Sequence, residues 1–167
     1  MNIHPDLQLA ENLIYKKWGF ALENVMLEKE SQEYAATSFM LNNHRILFRA
    51  SKITPTKTGQ FVTIWKRIHG GPIQPFDEKD PVDFVFISVR SDQNSGQFIF
   101  PKKILLERKI FSKNNIGGKR AIRVYAPWDN ANSKQAAMTK KWQSAFFVDM
   151  SHADCSDVID HVSVLLE

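Results

Sequence analysis

Phe84-Val85-Phe86-Ile87 is an unbroken apolar run just after Asp83, and it sets how the rest of the chain must be layered. A short stretch without polar alternation reads as a strand covered on both faces, so layers must lie above and below it. Toward the C-terminus, Gln97 to Phe100 gives a further short strand, and Pro101 opens a helix continuing through Leu105 and Leu106. Arg120 to Tyr125 is the last strand, with Ile122 and Val124 facing away from Arg123 and Tyr125. Toward the N-terminus, Gly70-Gly71-Pro72 and Pro75 mark an irregular connection, and Phe61 to Arg67 alternates as a strand with Phe61, Thr63 and Trp65 on one face. Thr54 to Gly59 reads as a loop. Two beta-rich segments, Tyr34 to Leu41 and His44 to Ala50, flank Asn42-Asn43; Asn tolerates positive φ, which suits a tight hairpin.

Helices frame these strands. Pro5 in a first turn, followed by Leu7, Ala10, Ile14 and Trp18, gives an amphipathic helix that Gly19 stops. Asn132 and Gln135 have capping-box spacing ahead of a helix from about Ser133 to Phe147, which aligns Met138, Trp142 and Phe146. Val158, Ile159, Val162, Leu165 and Leu166 make a final acidic amphipathic helix, at about 154–166. The expected architecture is a mixed α/β (α+β) single domain over 1–167, with a central mixed, largely antiparallel sheet flanked by helices. The short repeat of Gly59-Gln60-Phe61 and Gly96-Gln97-Phe98 is a turn feeding a strand twice.

A chain of 167 residues buries roughly two-thirds of its unfolded surface. Hydrophobic residues make up 43% and charged residues 24%, which suits a soluble domain. No run approaches the length of a membrane span, and the N-terminus lacks the pattern of a secretory signal. Cys155 is the only cysteine, so no intrachain disulfide forms and a cytoplasmic location is expected. Asp154 and Asp157 disfavour its thiolate, making it a bystander.

Charge is segregated along the chain. Residues 44–142 hold 19 Lys and Arg against 7 Asp and Glu, whereas the flanks carry 3 against 6 and 0 against 5. Twelve of the 19 aromatic residues lie in the same stretch. Cations attract phosphates and rings stack on bases, so nucleic acid is the first partner to consider. A solvated basic face around an aromatic core is the alternative. The candidate binding residues are Lys52, Lys57, Lys66, Arg67, Lys102, Lys103, Lys119, Arg120, Arg123, Trp128 and Lys140, with Lys141 beside them. Of the other rings, Trp142 lies on an apolar helical stripe and Trp65 in a strand, and both read as core.

Acid–base or metal chemistry needs converging carboxylates. Asp77, Glu78 and Asp80 lie in a Pro-flanked turn, where Asp supports its own backbone, and Asp92 stands apart. Asp83 alone precedes a buried strand as a nuclease's metal-binding acid would, but no partner acid at useful spacing is visible. The histidines, at 4, 44, 69, 152 and 161, are scattered, and His152, Cys155 and His161 fit a solvated helix better than a metal site. Gly117-Gly118-Lys119 is only a fragment of a phosphate loop, with Arg120 where Ser or Thr would hold magnesium.

A series of short segments, in order, resembles the MepB family of small bacterial cytoplasmic proteins. They are Ser51-Lys52-Ile53-Thr54-Pro55, Gly59 to Arg67, Pro72 to Asp77, Gly96 to Lys102, Lys119 to Tyr125, Pro127-Trp128-Asp129, and Lys134-Gln135-Ala136 with Trp142-Gln143. Together they cover most of residues 34–147. The resemblance implies a fold similar to the PD-(D/E)XK restriction-endonuclease-like core and association with nucleic acids. A working site of that kind places an acid two residues before a Lys on a strand. Here Ile64-Trp65-Lys66 puts an apolar residue in that place, and Ser88-Val89-Arg90 has neither group. The expectation is therefore a non-catalytic nucleic-acid-binding protein, preferring single-stranded DNA or RNA. No catalytic residue, metal ligand or cofactor is assigned, and no membrane partner is expected. The alternatives are a divergent metal-dependent nuclease built on Asp83, and a protein-interaction module whose acidic C-terminal helix docks on a partner or shields the basic face.

Overall fold

Asn42 and Asn43 both take positive φ, 49° and 63°, and Leu41 pairs directly with His44 across them. This is the expected two-residue hairpin, joining β2 (Thr37–Leu41) to β3 (His44–Ala50). The computed structural model describes residues 2–152 and 156–167. Ahead of the hairpin, α1 (Pro5–Ala10) runs on through a π-helical segment (Glu11–Tyr15) and a last turn (Lys16–Trp18), which Gly19 ends at φ 104°. Next comes β1 (Glu23–Leu27), a strand at the sheet edge that exposes most of its residues. After β3 follow β4 (Lys52–Ile53), β5 (Gln60–Thr63), β6 (Lys66–Arg67), β7 (Ile73–Gln74), β8 (Phe84–Ser91) and β9 (Asn94–Pro101). Then come α2 (Lys102–Glu107), β10 (Ala121–Val124), α3 (Lys134–Ser144), β11 (Phe147–Asp149) and α4 (Ser156–Leu165).

The main sheet has six strands in the order β1-β2-β3-β8-β9-β11. Only β3 and β8 run parallel; every other neighbouring pair is antiparallel. The mixed, largely antiparallel sheet is thus as expected. Alternation along β8 divides the core in two. Phe84 and Phe86 face α1 and α4, with Leu7, Ile14, Tyr15, Val162 and Leu166. Val85, Ile87 and Val89 face the opposite way, toward Val62, Ile64, Ile122 and Val124 of a small β10-β5-β4 sheet, with α2 and α3 alongside. Burying Phe86 completely contributes about 1.5–3 kcal/mol.

Several boundaries differ from expectation, some for local and some for tertiary reasons. The strand expected from Tyr34 starts at Thr37, because Gln32–Tyr34 forms a turn of 3-10 helix. The strand expected through Arg67 divides after Thr63, and β6 turns away to pair with β7. Its inward residues are Val62 and Ile64, which leaves Trp65 half-buried outside both core clusters, not in the core. The helix expected to reach Phe147 ends at Ser144, since Phe147 pairs with Phe98 as β11. Its cap is Ser133, whose Oγ accepts from the Ala136 N–H at 3.0 Å; Asn132 does not cap it. Met138, aligned with Trp142 on that helix, is exposed.

The C-terminal helix α4 packs on the α1 face, where the His44 ring meets the Leu166 carbonyl at 2.6 Å. It therefore lies across the sheet from the small sheet and α3, and does not cover them. Asp154 and Cys155 lie outside the described residues. No helix among the described residues is long and apolar enough to cross a membrane.

Candidate functional site

Arg123 begins the site. Its position on β10 is set by pairing with Phe61 of β5, and its guanidinium lies 6.0 Å from that ring. The same guanidinium donates to the carbonyls of Thr58 and Gly59 at 3.1 and 3.3 Å and to Thr54 Oγ1 at 3.0 Å. These bonds strap the 54–59 loop to β10 and hold Lys57 at the rim. Gly59 has φ 76°, and a Cβ there would stand 2.8 Å from the Tyr125 ring. Glycine is what allows that ring to lie directly on the loop backbone.

Gln143 supplies the second tie. It is 1% exposed; its side chain accepts from the Tyr125 N–H at 2.8 Å and donates to the Arg123 carbonyl at 3.1 Å. An amide matches a strand's backbone donor and acceptor at once, so α3 is pinned across the end of β10. Trp142 packs one side on Phe100, 5.4 Å between centroids, and carries the Arg108 guanidinium at 5.2 Å from its ring. Lys119 is anchored through its own N–H, which donates to the Ile110 carbonyl at 2.8 Å. Asp77, 2% exposed, steadies the preceding loop by accepting from Ser112 Oγ at 2.7 Å and the Asn115 N–H at 2.9 Å. Those donors hold its carboxyl down at about 2.

Between these walls lies a cleft of about 620 Å³, lined by Lys57, Arg108, Lys119 and Arg123 with polar side chains and the Tyr125 and Trp142 rings. Among the described residues no Asp or Glu lines it, and none of its four cations pairs with a carboxylate. Asn132, Ser133 and Gln135 also line it, which turns the positive end of the α3 dipole toward the same space. A smaller hollow of about 440 Å³ shares Arg108, Gln135, Thr139 and Trp142 and adds Lys134 and Met138. The arrangement offers charge, hydrogen-bond donors and an aromatic shelf to an anionic ligand.

Of the basic residues singled out from sequence, Lys57, Lys119 and Arg123 meet here. Others serve the scaffold. Lys66 pairs with Asp80 at 2.6 Å, and Lys102 donates to the Glu78 and Asp80 carbonyls at 2.6 and 2.7 Å. Lys140 donates to the Pro127 and Asp129 carbonyls at 3.1 and 2.8 Å. Arg67 pairs with Glu30 at 2.8 Å and lies over Trp65, and Lys52 lies over the Tyr34 ring. Lys103, Arg120 and Lys141 are exposed away from the cleft lining. Trp128 is half-buried against Phe147, 5.6 Å between centroids, with its Nε1 buried and without a hydrogen-bond partner among the described residues. Trp142, read as core, is core on one side and cleft wall on the other.

Asp83 is committed to Arg45: Oδ2 accepts from the Arg45 N–H at 2.8 Å and Nε at 3.0 Å, and Oδ1 from Nη2 at 3.0 Å. The hydrogen-bonded guanidinium holds its carboxyl below the usual range. Asp80 and Asp77 are similarly taken up within their turn, where the Asp77 N–H donates to Asp80 Oδ2 at 2.7 Å. Among the described residues, no three His, Cys, Asp or Glu side chains converge to hold a metal. The set of His152, Cys155 and His161 includes a residue outside the described ones.

Arg108 is the cation of the larger cleft that sequence reading misses. It follows α2 in a polar stretch, and only its contact with Trp142 distinguishes it from any surface arginine.

The comparisons with known proteins agree with one another. A MepB-like family model matches residues 28–149. A crystal structure of MepB is similar at a TM-score of 0.74 and 35% identity, covering 77% of this chain and 86% of the other. No curated protein matches. With one model spanning most of the sequence and a solved relative sharing both fold and a third of its residues, this chain belongs to the MepB-like family.

Proposed function

We propose that this protein is a non-catalytic nucleic-acid-binding protein with a degenerate nuclease-like fold, favouring single-stranded DNA or RNA. The observation that carries the reading is the cleft: four cations, no carboxylate and two rings around about 620 Å³. Lysine and arginine contacts to phosphate supply affinity without sequence preference. Arg108, held over the Trp142 ring, offers a cationic side chain to a base, which reaches it only when unpaired. A cleft of this size lies in the range of small-ligand sites and takes nucleotides singly, not a duplex.

The helix-first, mixed-sheet architecture supports kinship with nuclease-like folds, and Asp83 supports the non-catalytic reading. Arg45 engages both of its oxygens with three donors, which fill most of the acceptor positions a metal would use. The test is anisotropy of labelled single- and double-stranded oligonucleotides at several salt concentrations. Wild type should bind single strands saturably and more tightly than duplex, and R108A/K119A should weaken that binding about tenfold or more. Failure to bind at low salt would overturn the reading, and undiminished binding by the variant would remove the cleft from the site.

A further inference from the structure

Positive charge is unevenly distributed between the two adjoining hollows. The larger one holds Lys57, Lys119 and Arg123 in addition to the Arg108 it shares with the smaller, which adds only Lys134. A strand passing through presents one negative charge per phosphodiester and calls for evenly spaced cations. A terminal phosphate ester carries about −1.5 to −2 and three acceptor oxygens, and so calls for charge concentrated at one end.

We propose that the larger hollow receives a nucleotide's terminal phosphomonoester, so that the protein holds the phosphorylated end of a single strand. This deepens the nucleic-acid reading above and rests on it. Lys57, Lys119 and Arg123 face the phosphate, each lining the hollow without a carboxylate partner among the described residues. Arg123 enters pre-ordered, because Thr54, Thr58 and Gly59 already fix its guanidinium through neutral acceptors that leave its charge uncancelled. The polar N-terminal turn of α3, with Ser133 and Gln135, adds donors to the same wall. The first base then lies against Arg108, itself supported by Trp142, and the chain leaves through the smaller hollow past Thr139 and exposed Met138. Lys134 stands there for the next phosphate.

The same chemistry is carried by a free nucleotide, and the experiment separates the two sources. Short labelled oligonucleotides of one sequence, bearing a 5′-phosphate, a 3′-phosphate or neither, are titrated by anisotropy, with adenosine monophosphate as competitor. One phosphorylated form should bind at least tenfold more tightly than the unphosphorylated strand, and adenosine monophosphate should compete only weakly. In K57A/K119A, with an unchanged thermal melt, that preference should fall to about one. Equal binding of all three strands would overturn the end-binding inference while leaving nucleic-acid binding intact. Tight binding of adenosine monophosphate with no gain from the attached strand would replace the strand end with a free nucleotide. No binding by any oligonucleotide would overturn the underlying functional reading as well.

Discussion

The two faces of the six-stranded sheet are built from the same strands but finished differently. On the α1–α4 face, aromatic and aliphatic side chains close over Phe84 and Phe86, and the polar groups answer one another, as Tyr15 OH does by donating to Gln97 Oε1. Burial pushes the Tyr15 hydroxyl well above its ordinary range, consistent with a neutral, structural group. On the opposite face an apolar layer also covers the sheet, but beyond it the small sheet and α3 leave a gap lined by cations with no carboxylate partner among the described residues. Charge is costly to concentrate without partners, so a cluster kept that way stores recognition rather than stability. The difference separates residues that hold the fold from residues that the proposed function assigns to a ligand.

Breaking the closed face should have the largest effect. Phe86→Ala removes a fully buried ring and should cost about 3–5 kcal/mol in denaturant unfolding, with binding per folded molecule unchanged. Next is the tie between the faces of the cleft. Gln143→Leu keeps the volume but strands the Tyr125 N–H and the Arg123 carbonyl, and should cost roughly 1–3 kcal/mol while also weakening nucleic-acid binding. A loss of stability with binding intact would show that Gln143 holds the helix without shaping the cleft.

A smaller, pH-dependent effect belongs to Asp77. Its folded carboxyl, held at about 2, lies below the ordinary 3.8, so it favours the folded state most above about pH 4. That contribution is lost as pH falls toward 2, when the folded-state carboxyl takes up its proton. Asp77→Asn should flatten the pH dependence of stability over that window, as read from urea midpoints at successive pH values. An unaltered slope in the variant would contradict the assigned role.

The closed face was largely legible in the sequence because it rests on local pattern. Phe84 to Ile87 reported burial on both sides of β8, and Asn42-Asn43 reported the hairpin through its tolerance of positive φ. The strands that escaped were those with little pattern to show. Glu23–Leu27 lies at a sheet edge with most residues exposed, and Phe147–Asp149 is three residues long behind a helix. The cleft was legible only as a basic stretch. Which cations remain available depends on partners remote in sequence: Lys66 finds Asp80 and Lys140 finds the 127–129 carbonyls, while Lys57 and Lys119 find no carboxylate among the described residues. Arg108 gains meaning only when folding brings Trp142 beneath it.

The most direct test of that division is the salt dependence of single-strand binding by wild type and K57A/K119A. Each phosphate contact contributes about 0.7 to the slope of log affinity against log salt, so removing two should reduce its magnitude by roughly 1.4. A shallower slope with unchanged unfolding would identify these lysines as ligand-facing groups of the open face. An identical slope and affinity would place the binding surface elsewhere and return the cleft to an ordinary solvated hollow.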